Sequence, residues 1–288
     1  MKVQAFFDPR TSTLTYVAFD EGERIGVVID SVLDFDPASG RTWTESADAV
    51  ARFLDHEHIR IPYVLDTHAH ADHLSAIPYF KQRFGAKGVI GADIVKVQSV
   101  FRDLFNLSDA FRTDGHQFDL LIREGEQLEV GPFDVKAMHT PGHTPACMSY
   151  HIGDALFVGD ALFQPDYGTA RCDFPGGSAE QLYASIQRLY REFPAETRIF
   201  TCHDYQPGGR DLAFESTIEE QRTSNSQLTA STTREDFVAM RKARDATLSM
   251  PALILPSIQV NIRAGEFPTP EDNGISYLKL PLNLFAAQ

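Results

Sequence analysis

Ile61-Pro62-Tyr63-Val64-Leu65-Asp66 runs directly into Thr67-His68-Ala69-His70-Ala71-Asp72-His73, and the reading of this stretch decides the fold. The first half is a short apolar strand. The second half sets four metal-ligand types, His68, His70, Asp72 and His73, within six residues on the loop that ends the strand. Crowding imidazoles and a carboxylate in this way costs stability unless a cation uses them.

Working outward, three more such residues sit at predicted strand ends. His143 lies in Thr140-Pro141-Gly142-His143-Thr144-Pro145, Asp160 closes Phe157-Val158-Gly159-Asp160, and His203 follows the strand Arg198-Ile199-Phe200-Thr201-Cys202. In a sandwich of sheets, strand ends on one edge share a surface, so seven ligand-type residues from four segments can meet there. A coincidental set of surface and capping histidines explains so dense a loop poorly.

The rest of the chain supplies a frame for that edge. Leu14–Phe19 and Ile25–Asp30 alternate between turns at Asp8-Pro9 and Asp20-Glu21-Gly22, which predicts antiparallel strands. A helix is predicted over 45–58, another from about Ser75 with Pro78 in its first turn, and a third with Ile94, Val97, Val100, Phe101 and Leu104 on its apolar face. Residues 127–163 read as a second group of strands. Ser178 and Gln181 then form a capping pattern before Leu182, Ile186, Leu189 and Phe193 at helical spacing. Residues 211–288 begin with a helix, for which Thr232 and Glu235 are the expected capping pair, and end in Pro-punctuated extended segments with no independent chemistry visible.

Composition narrows the partners. Twenty-six Lys and Arg against 40 Asp and Glu give a formal charge of −14, with no basic patch, which disfavours nucleic acid and acidic membrane surfaces. The N-terminus lacks the apolar run of a secretory signal, and no stretch approaches the ~20 apolar residues of a membrane span, so a cytoplasmic location is expected. Three cysteines, Cys147, Cys172 and Cys202, do not make a disulfide framework and agree with a reducing compartment.

His-x-His-x-Asp-His, then Pro-Gly-His-Thr, then Gly-Asp, then a strand-end His resembles the metallo-β-lactamase superfamily along residues ~1–210. The resemblance implies an α/β fold, an αβ/βα sandwich of two mixed β-sheets with external helices, with metal in a groove at the sheet edge. It also implies one domain over 1–288, with a core of about 1–210 and the segment 211–288 packed on it. The usual chemistry of the superfamily is hydrolysis by metal-activated water.

Over 61–225 the likeness sharpens. Thr67–His73, Gly168-Thr169-Ala170-Arg171-Cys172-Asp173-Phe174, His203-Asp204-Tyr205 and Glu219-Glu220-Gln221-Arg222-Thr223 look like the persulfide (sulfur) dioxygenases. That likeness implies one Fe(II) per chain, held by His68, His143 and Asp160 as metal-binding and catalytic residues. His70, Asp72, His73 and His203 are then retained from a binuclear ancestor's second metal position, and Arg171 and Tyr205 bind glutathione. Two histidines and a carboxylate leave three adjacent positions on iron for a persulfide sulfur and O2, which redox-inert zinc cannot exploit. The implied reaction turns glutathione persulfide, O2 and water into glutathione and sulfite. The implied partners are small molecules, with no nucleic acid and no membrane, and a homo-oligomer is left open.

Two departures from the family adjoin the expected substrate groove: a longer link over 161–170 and an insertion over 206–210. They bear on which thiol carries the sulfur. The competing reading is a glyoxalase II-type hydroxyacylglutathione hydrolase with two metals, to be separated by metal count and O2 consumption; a non-catalytic binding module fits an intact ligand set less well. Arg171 with Asp173 also reads as a plain surface pair. Cys172 and Cys202 read as buried thiols, His56, His58, His116, His139 and His151 as solvated or core-satisfied, and Pro175-Gly176-Gly177-Ser178 as a loop and cap.

Overall fold

The computed structural model describes residues 1–283. The chain opens with β1 (Lys2–Asp8), β2 (Thr13–Asp20), β3 (Ile25–Ile29), β4 (Val32–Asp36) and β5 (Arg41–Trp43). Then come α1 (Glu45–Glu57), β6 (Arg60–Leu65), β7 (Leu74–Ser75), α2 (Ile77–Phe84), β8 (Lys87–Gly91), α3 (Ile94–Leu104) and β9 (Leu120–Ile122). The middle carries β10 (Gln127–Val130), β11 (Phe133–His139), β12 (Met148–Ile152), β13 (Ala155–Phe157), α4 (Ala179–Glu192) and β14 (Arg198–Phe200). The last part holds β15 (Glu215–Thr217), α5 (Ile218–Ser224), α6 (Arg234–Asp245) and α7 (Ile254–Asn261).

Connection length sets the direction of pairing. Short turns join β1, β2 and β3, which pair antiparallel, whereas helical crossovers through α2 and α3 make β6, β8 and β9 parallel. The first sheet is thus six strands in the order β1-β2-β3-β6-β8-β9. In the second, β10-β11-β12-β13-β14-β15, the crossover through α4 makes the β13–β14 pair parallel within an otherwise antiparallel sheet. A small third sheet, β5-β4-β7, borders the histidine loop.

Burial follows from stacking these layers. Leu14, Tyr16 and Ala18 of β2 point into the space between the two large sheets, while Val17 and Phe19 point to the helices outside. Between the sheets, Tyr16 meets Phe157 and Phe200 edge-on with ring centres 5.4 Å away, and its hydroxyl donates to the Thr201 carbonyl at 2.6 Å. The outer face of the first sheet is covered by α1, α2, α3 and α7, and that of the second by α4 and α6 through Leu182, Ile186, Leu189 and Phe237. The result is the expected αβ/βα sandwich of two mixed sheets with external helices. No helix among the described residues is long and apolar enough to cross a membrane.

Local expectations mostly match, with informative shifts. α1 stops at Glu57 because His58 turns left-handed, and Pro78 sits in the first turn of α2. On α3 Val100 lies at the edge of the apolar stripe and is exposed, while Gln98 turns inward to donate to Gln117 and the Ile262 carbonyl. Ser178 caps α4 as predicted, accepting from the Gln181 amide. The cap of α6 is Thr233, accepting from the Asp236 amide, one residue beyond the Thr232–Glu235 pair expected. The expected extended tail contains α7, which Pro256 does not prevent because it is the third residue, where the amide has no intrahelical partner.

α6 is fastened to the loop that carries Arg171. The Arg241 guanidinium is 1% exposed and pairs with Asp245 at 2.6 Å while donating to the Thr169 carbonyl at 3.1 Å. Asp245 in turn accepts from the Cys172 amide at 2.9 Å. Replacing Arg241 by Ala strands a buried carboxylate, and chemical denaturation should show a loss of about 3–5 kcal/mol. A loss below about 1 kcal/mol, the range of a surface pair, would show that the clamp is not holding the loop.

Candidate metal centre

Strands β3, β6, β13 and β14 end on one edge, and the residues that follow them converge. After β6 come His68, His70, Asp72 and His73, after β13 comes Asp160, and after β14 comes His203; the loop between β11 and β12 adds His143. Donor atoms of His68, His143 and Asp160 all lie within 4.8 Å of one another, as do those of His70, Asp72, His73 and His203. Asp160 stands between the groups. Its Oδ2 is 3.9 Å from His68 Nε2 and 3.6 Å from His143 Nε2, and its Oδ1 is 3.4 Å from His203 Nε2. Two donors each about 2.1 Å from one ion lie roughly 3–4 Å apart, so these spacings suit shared coordination.

Each imidazole is held by one nitrogen and presents the other. His68 Nδ1 donates to Thr67 Oγ1 at 3.0 Å, and that hydroxyl donates to Asp30 Oδ2 at 3.0 Å. His70 Nε2 donates to Asp30 Oδ1 at 3.1 Å, and His143 Nδ1 to the Arg171 carbonyl at 2.8 Å. Thr13 Oγ1 lies 3.4 Å from His73 Nδ1 and 3.3 Å from His203 Nδ1. The opposite atoms His68 Nε2, His70 Nδ1 and His73 Nε2 are buried without a hydrogen-bond partner, while His203 Nε2 faces Asp72 Oδ2 at 3.0 Å and Asp160 Oδ1 at 3.4 Å. Buried polar atoms rarely stay unpaired, and lone pairs aimed at common points are what metal ligation requires. The His/Asp cluster therefore fits a metal, and this is a metal-binding centre.

Electrostatics agree. Burial and then the neighbouring imidazoles hold His68 and His70 well below the ordinary histidine range, which keeps them neutral. Burial opposes charge on His203 as well, but Asp72 and Asp160 override it and raise the group to about 10. Asp160 itself is raised by burial, against the pull of His203 and His143. A cation here replaces protons, since imidazoles bind metal only when neutral and carboxylates only when ionised.

Two glycines permit the geometry. Gly142 has φ +147° and lies so close to α4 that a Cβ would meet the Leu182 backbone at 2.4 Å. Gly159, at φ +54°, leaves no room beside Thr67, whose Oγ1 would be 2.5 Å from a Cβ. Each immediately precedes a donor, His143 or Asp160.

Beside the cluster opens a cleft of about 420 Å³ that reaches Asp72, His143 and Asp160 and has Phe163, Tyr167, Phe174 and Tyr205 among its walls. Tyr205 stacks on His203 with ring centres 5.7 Å apart and on Tyr167 at 4.8 Å. Arg171 lies in the cleft wall, over the Phe174 ring, but its fork is occupied. Nε and Nη2 donate to Asp173 at 2.6 and 2.7 Å, and Nη1 donates to the Ser249 carbonyl at 2.7 Å. The Arg171–Asp173 pair weighed from the sequence is present. The two departures over 161–170 and 206–210 are tied together, because Arg210 bridges Asp166 and the buried Asp204. All three cysteines are free and buried, and burial pushes Cys147 up to about 12. His139 donates to the Pro145 carbonyl, His116 pairs with Asp114, His56 with Glu57, and His151 packs on Phe193.

Sequence reading missed several residues. Asp30 follows an apolar strand as His203 does, and that shared signal could have found it. Thr13, Arg210 and Asn261 carry no such mark. Asn261, at the end of α7, accepts from the Ser75 amide and donates at 2.8 Å to both the His70 and His73 carbonyls. The segment judged free of chemistry thus holds the histidine loop.

With two mixed sheets enclosed by helices and the donors at one edge, the comparisons agree with the geometry. The profile of the metallo-beta-lactamase superfamily matches residues 10–203. The chain belongs to that superfamily. It is 52% identical to a probable metallo-hydrolase of Burkholderia pseudomallei over 98% of this chain and 99% of that one. It is 46% identical to glyoxylase B2 of Dictyostelium discoideum, covering 98% and 97%. With the mitochondrial persulfide dioxygenase ETHE1 of Homo sapiens it shares 31% identity over 91% of this chain and 88% of that protein. Among solved structures it is similar to ETHE1 from Myxococcus xanthus, with a TM-score of 0.74, 29% identity and coverage of 92% and 100%.

Asn261→Ala leaves two carbonyls and one amide of the loop unpaired. Metal bound after dialysis against a weak chelator should fall several-fold, with stability lower by about 2–4 kcal/mol. Unchanged metal retention would show that the loop holds its shape without α7.

Proposed function

We propose that the protein is a persulfide dioxygenase: it oxidises glutathione persulfide with O2 and water to glutathione and sulfite at one Fe(II). The observation that carries this reading is the convergence of His68, His143 and Asp160, two imidazoles and one carboxylate, beside the aromatic cleft. The likeness to the persulfide dioxygenase ETHE1 supports it.

In this reading His68, His143 and Asp160 hold the iron. When bound in such a set, Fe(II) supplies adjacent open positions and redox chemistry toward O2 that zinc lacks. The chain's own groups do the rest. Asp30 through Thr67 fixes the ring of His68, and the Arg171 carbonyl fixes that of His143. Buried Phe163 and Phe174 give the sulfur an apolar wall, with half-exposed Tyr205 at the cleft mouth. By the family likeness Tyr205 and Arg171 would contact the glutathione moiety, although the Arg171 fork is engaged by Asp173 and the Ser249 carbonyl. His70, Asp72, His73 and His203 would not ligate the iron in this reading, being remnants of a second metal position. The balance is glutathione persulfide + O2 + H2O giving glutathione + sulfite + two protons, the outer sulfur being oxidised and O2 reduced. We extend the working unit to the whole of 1–288, since Asn261 and the 248–253 stretch reach the centre and its cleft. Free buried thiols fit a cytoplasmic setting.

The second reading, a thioester hydrolase of the glyoxalase II type, is favoured by the other donor group, which is intact, with His70 Nδ1 and His73 Nε2 unpaired and His203 Nε2 facing Asp72. The names of the Burkholderia and Dictyostelium relatives point the same way.

An oxygen electrode separates the two. Iron-loaded protein given fresh glutathione persulfide should take up one O2 per sulfite released, and S-lactoylglutathione should remain uncleaved. Brisk thioester hydrolysis without O2 uptake would overturn the dioxygenase reading. In mutants, Asp160→Ala should lose iron and activity together, since no neutral side chain replaces the carboxylate charge, whereas His203→Ala should keep most of its iron. Equal loss of iron in both variants would favour a shared binuclear site.

A further inference from the structure

Four arginines line the cleft: Arg10, Arg171, Arg241 and Arg244. Three of them are already matched by carboxylates. Arg10 lies within 4 Å of Asp8, Asp34 and Glu45, Arg171 is forked by Asp173, and buried Arg241 pairs with Asp245. Arg244 is different. Among the described residues it has no carboxylate partner, and its guanidinium makes no side-chain hydrogen bond; it is exposed at the C-terminal end of α6, 6.0 Å from the centre of the Tyr167 ring. Tyr167 continues the stack through Tyr205 to His203, so an aromatic wall runs from this free cation to the metal donors.

A protein with a formal charge of −14 repels an anionic ligand at long range. Capture then depends on a local cation whose charge is not already cancelled, and a guanidinium grips a carboxylate through two parallel hydrogen bonds. The cleft volume, about 420 Å³, falls in the range that small ligands fill. We propose that Arg244 is the residue that captures a carboxylate of the substrate, and that the cleft selects a carboxylate-bearing peptidyl thiol, sulfur end toward the metal donors and carboxylate end at α6. This rests on the reading of the substrate as a glutathione derivative and moves charge recognition from Arg171 to Arg244. A cation at a helix C-terminus also offsets the helix dipole, and the test must tell that structural role from ligand capture.

Calorimetry on anaerobic, iron-loaded protein with reduced glutathione and with its diethyl ester as probes makes that distinction. Arg244→Ala should weaken glutathione binding roughly tenfold or more, the range of a charge-assisted hydrogen bond. It should leave ester binding and thermal stability unchanged, and Arg244→Lys should recover part of the loss. Glutathione affinity within twofold of the parent, an equal loss for the ester, or a parent that binds no glutathione at millimolar concentration would overturn the proposal. Failure of the parent reading looks different. A parent that binds glutathione through Arg244 yet consumes no O2 leaves this assignment standing and removes the dioxygenase, whereas O2 consumption with an unaltered KM in Arg244→Ala removes this assignment alone.

Discussion

Three buried imidazole nitrogens without hydrogen-bond partners, His68 Nε2, His70 Nδ1 and His73 Nε2, meet Asp160 and His203 at the edge where the strands end. An unpaired buried polar atom costs about 1–3 kcal/mol, so together they would consume much of the stability of an ordinary domain. A divalent cation reverses the sign of that cost. The same lone pairs that burden the empty protein are what bind the ion, and metal binding and folding are therefore coupled. Much of the surrounding architecture keeps those atoms pointed inward: Asp30, Thr67, Thr13 and the Arg171 carbonyl each take the opposite side of a ring.

The parts of the chain divide the work. The two large sheets supply rigid strand ends, which hold ligands more closely than free loops would. The helices and the C-terminal segment supply the rest: α7 grips the histidine loop through Asn261, and α6 fastens the Arg171 loop through Arg241 and Asp245. Asp160, facing one donor group with each oxygen, is where mononuclear and binuclear chemistry diverge.

Legibility in the sequence followed the range of the interaction. His68, His70, Asp72 and His73 lie within one loop, and His143, Asp160 and His203 each end an apolar run or sit in a Pro-Gly turn, so local pattern exposed all seven. The sandwich followed from alternation, helical spacing and the order of elements. Hidden residues were those whose partner is distant in the chain. Asn261 meets His70 across 191 positions, and Thr13 meets His203 across 190. α7 was obscured by the Pro punctuation of the 211–288 segment, although Pro256 occupies a first-turn position that needs no amide donor. Charge was the subtlest case. The Arg171–Asp173 pair was readable two residues apart in the sequence, whereas the lack of a carboxylate partner at Arg244 among the described residues was not.

If His68, His143 and Asp160 hold one iron, as proposed, the second donor group carries no ion. Elemental analysis of protein purified without oxygen, combined with native mass spectrometry of the intact chain, counts the ions directly. One iron per chain and no more than trace zinc is the expected result. Two ions per chain, of zinc or of iron, would contradict it.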